Sequence, residues 1–428
     1  MPALGGVRTL ADVVVVGAGA VGASIAFELG RRGRQVLVLE RGAGWAAGCS
    51  WGNAGLICPS HAGPWATTQD IGQAARWILR PDSPLGIRPS ASLVPFMSRL
   101  LAAPADKVRR ATELSRRLCR DSLTLHEALT DGGLDTGFHR SGLLDVYATD
   151  AGLARGDRGA ALHRQAGVRC TVIDGTDVHA LEPALRDEVA GGVFFPDEAH
   201  CDPARFVEAL GAAAITAGST LRAGTDVLAI ERSGTTVDLT TTTGVVRAGV
   251  VIVAAGVWSG PLARALGRRI PLQGGKGYTV DLPNEDRPPL NRPLMLQEAR
   301  IAVTPLPGRL RLAGTMQLEG LDETINPRRV AAVHRDGVRM LPAWADAAVH
   351  RIWSGLRPCT PDGLPMVGWL REDMPVALAA GHAMLGLTLA PVTGQLVGDL
   401  LEGADRDELT SLAPGRFTRK PPVAARVR

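Results

Sequence analysis

Lysine is nearly missing from this sequence of 428 residues, which contains only Lys107, Lys276 and Lys420. Arginine supplies the rest of the 47 basic residues, and 43 acidic residues are interleaved with them. The formal net charge is therefore only +4, and no stretch forms the basic stripe that is typical of nucleic-acid binding. We expect no nucleic acid among the partners of this protein.

Paired cysteines, metal-binding spacings and long apolar runs are also missing. The six cysteines contain no C-x-x-C pair, which argues against a structural zinc site and is typical of a reducing compartment. The nine histidines show neither H-x-x-x-H nor H-E-x-x-H spacing, so we expect no metal. No run reaches the roughly 20 apolar residues of a membrane span, and the N-terminal valine run is too short for a signal peptide. These absences predict a cytoplasmic protein.

The segment VVVVGAGAVGASIA, residues 13–26, is the first strong local signal. Residues 12–16 are predicted to form a strand, and residues 20–30 a helix with its apolar positions four apart. A second strand is predicted at residues 35–40. This strand, helix and strand within about 30 residues provide the context in which a G-x-G-x-x-G motif binds a dinucleotide.

Each glycine of the motif has a physical role. Gly17 permits the tight turn, Gly19 lets the backbone approach a pyrophosphate, and Gly22 lets the helix pack on the strand. The helix N-terminus then offers free N–H groups to the anion. Glu40, 18 positions after Gly22, is placed to accept hydrogen bonds from a ribose. The pattern predicts dinucleotide binding and leaves FAD and NAD as alternatives.

Three further segments favour FAD. GCSWGNAG, residues 48–55, is small and polar, so its backbone and Ser50 can approach phosphates and a flavin ring. VVIVAAGVWS, residues 250–259, is a buried strand whose end suits close packing against a nucleotide. Taken alone, each of these two segments is also compatible with an ordinary surface loop or strand end.

The third segment lies late in the chain, in GLRPCTPDGLPMVG (355–368) and AAGHAMLGLTLAP (379–391). Gly381 and Gly386 bracket a turn, and Leu387 is predicted to begin an apolar helix. A flavin gains negative charge when it is reduced, and a second helix N-terminus would stabilise that charge. An NAD enzyme has no such need.

At these segments the chain resembles the FAD-dependent D-amino-acid oxidase superfamily, and most closely its D-amino-acid dehydrogenase branch. The S-x-x-N-A-G and G-L-R-P…D-G-x-P motifs are more specific than the glycine turn. The resemblance is carried by VVVVGAGAVGASIAFEL, SWGNAGLICPSHAGPWA, ILRPDSPLGIRPS, GGVFFPDEAHCDPARF, AAGVWS, GGKGYTVDLP, SGLRPCTPDGLPMVG and GHAMLGLTLAPVTG.

The resemblance implies an α/β fold, with a Rossmann-like FAD-binding domain built from discontinuous segments. It also implies an α+β substrate domain with a large antiparallel sheet. We expect the FAD-binding domain at residues 1–60, 200–265 and 350–412, the substrate domain at 61–199 and 266–349, and a C-terminal tail at 413–428.

The same resemblance, together with the motifs, places the cofactor contacts. Ala255 stands where many relatives have threonine, and Cys58 and His61 lie where relatives vary. No cysteine occupies the position at which some oxidase relatives attach the flavin, so we expect FAD to be bound non-covalently. The expected FAD contacts are Gly17, Gly19, Ala20, Val21, Gly22, Glu40, Arg41, Ser50, Asn53, Ala54, Gly55, Val227, Ala255, Gly256, Trp258, Gly381, Leu385, Gly386, Leu387 and Thr388.

The family reaction is the oxidation of an amine beside a carboxylate, by hydride transfer from Cα to flavin N5. The product is an imine, which hydrolyses to a 2-oxo acid and ammonia. The resemblance assigns Arg357, in G-L-R-P, to the substrate carboxylate, and its planar fork suits both oxygens. The alternative is a surface arginine in a proline-bounded turn.

Four more side chains are candidates for the substrate site. Tyr278, one of two tyrosines, can donate to a carboxylate or line the pocket, and Lys276 is unusual in a chain that prefers arginine. His382 precedes the predicted flavin-facing turn, and His61 is a candidate gate at the entrance. For the lysine the alternative is a solvent-facing turn, and for the histidines a structural hydrogen bond.

The electron acceptor is open between a quinone or other carrier and oxygen. Residues 70–103 mix apolar side chains with arginines, which suggests either a peripheral contact with the inner face of a membrane or core packing. Two other functions also stay open: an oxygen-using glycine or sarcosine-type amine oxidase, and a non-catalytic flavin-binding redox module. The apolar residues of that stretch are Trp77, Ile78, Leu79, Phe96, Met97, Leu100 and Leu101.

Overall fold

Two large sheets organise the molecule. The computed structural model describes residues 9–63, 80, 82–90, 93–371 and 373–417. Its α-helices span Ala20–Arg31, Leu93–Leu101, Ala105–Asp131, Asp150–Gln165, Gly175–Leu181, Pro203–Thr216, Ser259–Ala265, Pro327–Val338, Ala390–Leu401 and Asp407–Leu412. Short 3-10 helices lie at Pro59–His61, Gly256–Trp258, Pro342–Trp344, Ala383–Leu385 and Pro414–Phe417.

The first sheet has a parallel centre, in which Thr9–Val16 lies between Val36–Leu39 and Gly244–Val253. Thr220–Arg222 and Val376–Ala380 extend it in parallel on either side. A strand in the middle of such a sheet is buried on both faces, which explains why its sequence is a continuous valine run. The remaining strands of this sheet are Val227–Ser233, Thr236–Thr241 and Met366–Trp369.

Within the described ranges the large sheet has nine strands, most of them antiparallel, and it confirms the expected large antiparallel sheet. Its longest strand, Gln273–Pro283, pairs with Arg309–Leu318 on one side and with Arg351–Cys359 on the other. The other strands are Leu85–Ile87, Leu143–Tyr147, Thr171–Asp174, Gly191–Phe195, Leu294–Leu296 and Ile301–Leu306.

The division into two domains stays a prediction, and one strand pairs with a different sheet from the one that this division assigns to it. Arg351–Cys359 belongs to the large sheet by its pairing, although residues 350–412 are expected in the FAD-binding domain. This strand brings residue 357 to the boundary between the two sheets. A two-stranded ladder, Leu56–Ile57 with Ala199–His200, lies apart from both of them.

The late apolar helix begins later than the sequence predicts. It spans Ala390–Leu401 rather than starting at Leu387, and the 3-10 helix Ala383–Leu385 precedes it. Pro391 explains the position, because a proline lacks an N–H group and is accommodated in the first turn of a helix.

Residues 70–79, 81, 91 and 92 of the stretch suggested as a membrane patch, which include Trp77, Ile78 and Leu79, fall outside the described residues. In the described part, Phe96 is buried, and Met97 and Leu100 pack on the same apolar cluster, while Leu101 is half exposed. These contacts favour core packing for that part. No helix within the described ranges is long and apolar enough to cross a membrane.

Candidate active site

A cavity of about 450 Å³ lies at the carboxyl ends of the central strands of the first sheet. It joins the early glycine turn, the loop after residue 47, the end of Gly244–Val253 and the turn that follows Val376–Ala380. The predicted cofactor residues that line it are Gly17, Gly19, Ala20, Val21, Glu40, Arg41, Ser50, Asn53, Val227, Ala255, Gly256, Trp258, Gly386 and Leu387. The predicted contacts that do not line it are Gly22, Ala54, Gly55, Gly381, Leu385 and Thr388.

The glycines of the first turn are required by close backbone approach. Gly17 has φ of +107°, and a Cβ on it would lie 2.7 Å from the carbonyl oxygen of Ala254. A Cβ on Gly22 would lie only 1.9 Å from the carbonyl oxygen of Gly17. Any larger residue at either position would force the strand and helix apart, as the motif predicts.

Side-chain oxygens accept hydrogen bonds from backbone N–H groups in and beside the first glycine turn and hold it in place. The Ala20 N–H, at the start of the first helix, donates to Ser50 Oγ at 2.9 Å. Glu40 accepts from the N–H of Ala18 at 2.8 Å through one oxygen and from that of Gly42 at 2.7 Å through the other. Glu40 therefore fixes the turn, in addition to the ribose contact predicted for it.

At the end of the cavity that Arg41 and Trp258 line, the wall is flat. The Arg41 guanidinium lies 4.3 Å from the centroid of the Trp258 ring. Val227 and Leu228 line the same cavity, which gives this end an apolar character suited to a planar base.

The opposite end is formed by the late turn. Gly381 has φ of +91°, and a Cβ there would lie 2.6 Å from Thr360 Cγ2. Ala383 also has positive φ, +47°, which is uncommon for a residue with a side chain. His382 is buried, and its Nε2 lies 3.0 Å from Thr393 Oγ1. Burial lowers the pKa of His382 to about 4, so the imidazole is neutral at pH 7.

Arg357 does not itself line the cavity, but its chain neighbours Leu356 and Pro358 do, and so does Cys49, whose thiol interacts electrostatically with the guanidinium. Its guanidinium lies over Gly277, where a Cβ would be 2.2 Å from Nη1. Nη1 donates to the carbonyl oxygen of Thr315 at 2.8 Å, and burial lowers the pKa of the group. Among the described residues, no carboxylate forms an ion pair with Arg357.

Lys276 and Tyr278 do not line the cavity. Successive side chains of a strand point to opposite faces, and Arg357 lies over Gly277 between them, so both side chains lie on the face away from the guanidinium. Lys276 Nζ is held by Glu319 at 2.8 Å and by the carbonyl oxygen of Thr324 at 3.0 Å. The Tyr278 ring is buried in an apolar cluster with residues of the helix Pro327–Val338, and its hydroxyl accepts from Asn326 N–H at 3.4 Å.

His61 is also placed elsewhere. Its Nδ1 lies 2.7 Å from Ser60 Oγ, and its Nε2 lies 3.4 Å from Asp145 Oδ1. Its ring meets Phe195 edge-on at 5.5 Å between centroids. These contacts match the structural alternative, and His61 does not line the cavity.

No motif in the sequence marks several residues of the cavity. Cys49 lies in the predicted loop and lines the cavity, and burial raises the pKa of its thiol to about 11. Glu323, Asp226 and Ala383 also line the cavity. Glu323 follows the end of a long strand, and no motif in the sequence marks it.

Comparisons with known proteins agree with this geometry. A family model described as FAD dependent oxidoreductase, DAO, matches residues 12–400. A D-amino acid dehydrogenase of Cereibacter sphaeroides is 34% identical over 431 residues, covering 95% of this chain and 97% of its own. One from Methylobacterium radiotolerans is 33% identical over 419 residues, covering 95% and 99%. A crystal structure of glycine oxidase from Geobacillus kaustophilus superposes with a TM-score of 0.78 at 26% identity, covering 96% and 100%.

The chain belongs to the DAO family of FAD-dependent oxidoreductases. The family resemblance, the α/β fold and FAD as cofactor are thereby confirmed. The residues present fit this cofactor. The glycines leave space that a Cβ would fill, and the helix N-terminus at Ala20 and the turn at His382–Leu387 line one cavity.

Proposed function

We propose that this enzyme oxidises the Cα–N bond of an amino acid, either a D-amino acid or a cyclic relative such as a hydroxyproline. The substrate loses a hydride from Cα and a proton from nitrogen. The imine of a primary amine is then hydrolysed to a 2-oxo acid and ammonia, whereas a cyclic substrate gives a cyclic imine that keeps its nitrogen. The D-amino acid dehydrogenases that resemble this chain along almost their whole length support this substrate class.

One observation carries the proposal, namely the environment of Arg357. The Arg357 side chain is partly buried, and a guanidinium removed from most of its water is normally paired, because desolvation of an isolated charge is unfavourable. Arg357 donates to one carbonyl oxygen and, within the described residues, has no carboxylate partner. It lies beside the cavity wall, so a substrate carboxylate would supply the missing charge and accept two parallel hydrogen bonds.

The other residues of the chain position and shield the reacting atoms. The bound flavin supplies the hydride acceptor. Arg357 orients the carboxylate and thereby sets the position of Cα. The neutral His382, held by Thr393, adds no positive charge that would repel the substrate amine. Leu356 and Pro358, on either side of Arg357 in the strand, add apolar surface to the cavity wall.

The proposal also includes FAD held without a covalent bond and electron transfer from the flavin to a quinone or other carrier. One alternative acceptor has a specific observation in its favour. The superposition on a glycine oxidase, at 26% identity, supports an oxygen-using amine oxidase. Hydrogen peroxide released in proportion to turnover in air would favour that alternative, and turnover only with an added quinone or dye would favour the dehydrogenase.

The test is an anaerobic titration of the purified holoenzyme with D- and L-amino acids, sarcosine and proline derivatives. Loss of the visible absorbance of the oxidised flavin measures the reaction directly. We expect bleaching by at least one D-amino acid or cyclic relative, and much slower bleaching in Arg357→Met. A flavin that no amino acid bleaches would refute the proposed function and favour a non-catalytic module.

A further inference from the structure

The segment of residues 51–54, which contains Asn53 of the cavity wall, is held by side chains of the large sheet. Arg311 Nη1 donates to the carbonyl oxygen of Trp51 at 2.7 Å and to that of Asn53 at 3.0 Å. Thr304 Oγ1 donates to the carbonyl oxygen of Ala54 at 2.6 Å. Three carbonyl groups within four residues therefore point toward the large sheet.

Several hydrogen bonds fix the side chain of Arg311. It is fully buried, and its Nε and Nη2 donate to the two oxygens of Asp281 at 2.8 and 2.9 Å. Its guanidinium also lies 4.6 Å from the centroid of the Trp51 ring. A bidentate pair of this kind sets the orientation of the guanidinium plane, so the direction of the remaining donor is set as well.

Anchoring these carbonyl groups determines where the neighbouring N–H groups point. In a planar trans peptide the N–H is directed opposite to the C=O, and the described residues contain no cis peptide bond. The N–H groups of Gly52 and Ala54 therefore point away from Arg311 and the large sheet. Asn53, which lies between them, lines the cavity, and Gly52 and Ala54 do not.

We propose that Arg311 is a positioning residue for the cofactor. By holding the carbonyl groups of Trp51 and Asn53, it fixes the backbone around Asn53 and thereby the place of this residue in the cavity wall. A side-chain amide donor fixed in this way favours the negative charge that a flavin gains on reduction, since it needs no reorganisation. Thr304 assists at Ala54, and Asp281 holds Arg311 in place.

A buried arginine also stabilises the fold, so the experiment separates the two roles with a matched control. Arg292 forms a second pair, in which its Nε donates to Glu182 Oε1 at 2.9 Å; Glu182 is fully buried and Arg292 is partly buried. No described contact joins Arg292 to residues 51–54. Arg292→Met therefore removes a comparable ion pair and leaves the cofactor segment as it is.

Three variants of the holoenzyme test the proposal, with FAD affinity and the flavin midpoint potential as readouts. In Arg311→Met, we expect FAD to bind on the order of 10- to 100-fold more weakly, as for lost hydrogen bonds to a charged group, and the potential to become more negative. Arg311→Lys keeps the charge but lacks the planar fork, so its FAD affinity and midpoint potential should lie between those of Arg311→Met and wild type. Thr304→Val should weaken FAD binding about fivefold, as for one neutral hydrogen bond.

The control decides between positioning and stability. Arg292→Met should lower the melting temperature and leave FAD affinity and the potential as in wild type. If Arg311→Met does not fold, Arg311→Lys and Thr304→Val decide by the same readouts. Unchanged affinity and potential in the folded Arg311 and Thr304 variants, or equal changes in Arg292→Met, would overturn the inference. It rests on FAD as the cofactor and is independent of the substrate, so it and the proposed function can fail separately.

Discussion

A single methyl group added at Gly277 tests the role of Arg357, because it displaces the guanidinium and leaves the arginine itself in the chain. In Gly277→Ala, the new Cβ would lie 2.2, 2.4 and 2.5 Å from Nη1, Nη2 and Cζ of Arg357. Non-bonded carbon contacts favour separations of about 3.5 to 4 Å, so the guanidinium must move by about 1 Å or more. The group that moves is the end of a flexible side chain, so we expect the fold to survive.

A displacement of about 1 Å in a positioning group lowers catalysis by about 100-fold, which corresponds to about 2.7 kcal/mol. The assay is kcat/KM with the best substrate of the anaerobic screen, together with the melting temperature of the holoenzyme. Gly159→Ala is the control, because it lies in a helix where a Cβ meets nothing within 4 Å. We expect it to retain full activity and to be stabilised by up to about 1 kcal/mol. A Gly277→Ala enzyme with wild-type kcat/KM would refute the placement of the substrate carboxylate on Arg357.

Three further predictions follow from the same structure. Gly22→Ala places a Cβ 1.9 Å from the carbonyl oxygen of Gly17. We expect the free energy of unfolding to fall by at least about 1 to 3 kcal/mol and the purified protein to contain less FAD. An unchanged melting temperature and flavin content would contradict this. Trp258→Ala removes the ring that Arg41 covers, and FAD affinity, measured by fluorescence titration, should fall about 2- to 30-fold. Burial raises the pKa of Glu198 to about 7, so the folded protein holds the proton of this carboxyl group more tightly than the unfolded protein does. The stability that this difference contributes is therefore lost as pH rises from about 4.5 through 7. Relative to wild type, Glu198→Gln should gain up to about 3 kcal/mol between pH 5 and pH 8, and parallel melting curves would contradict the shift.

The sequence predicts the fold well where local chemistry and tertiary packing agree. The glycine turn, the valine strand and the acidic residue after the second strand are consecutive in the chain, and each acts on its neighbours. The start of the late helix was predicted three residues early, because Leu387 belongs to the apolar pattern while Pro391 sets the first turn. The pairing of Arg351–Cys359 with the large sheet depends on a strand about 80 residues earlier, which no local pattern reveals.

The substrate side was less predictable, for a physical reason. Lys276, Tyr278 and His61 were candidates because of their chemical type, and residue type does not determine which face of a strand a side chain occupies. Lys276 and Tyr278 flank Gly277, so the alternation of the strand places them opposite Arg357. The ion pairs of Lys276 involve a loop more than 40 residues away, which explains its burial without a substrate.

Binding of a carboxylate that lacks an amine tests the central claim most directly, because it separates binding from oxidation. Acetate or benzoate would be titrated into the anaerobic holoenzyme, with the visible flavin spectrum as the readout. We expect saturable perturbation of the spectrum in wild type, competition with the amino-acid substrate, and at least about 30-fold weaker binding in Arg357→Met, as for the loss of 2 kcal/mol or more from a desolvated pair. Equal affinity in wild type and Arg357→Met would show that the carboxylate is held elsewhere.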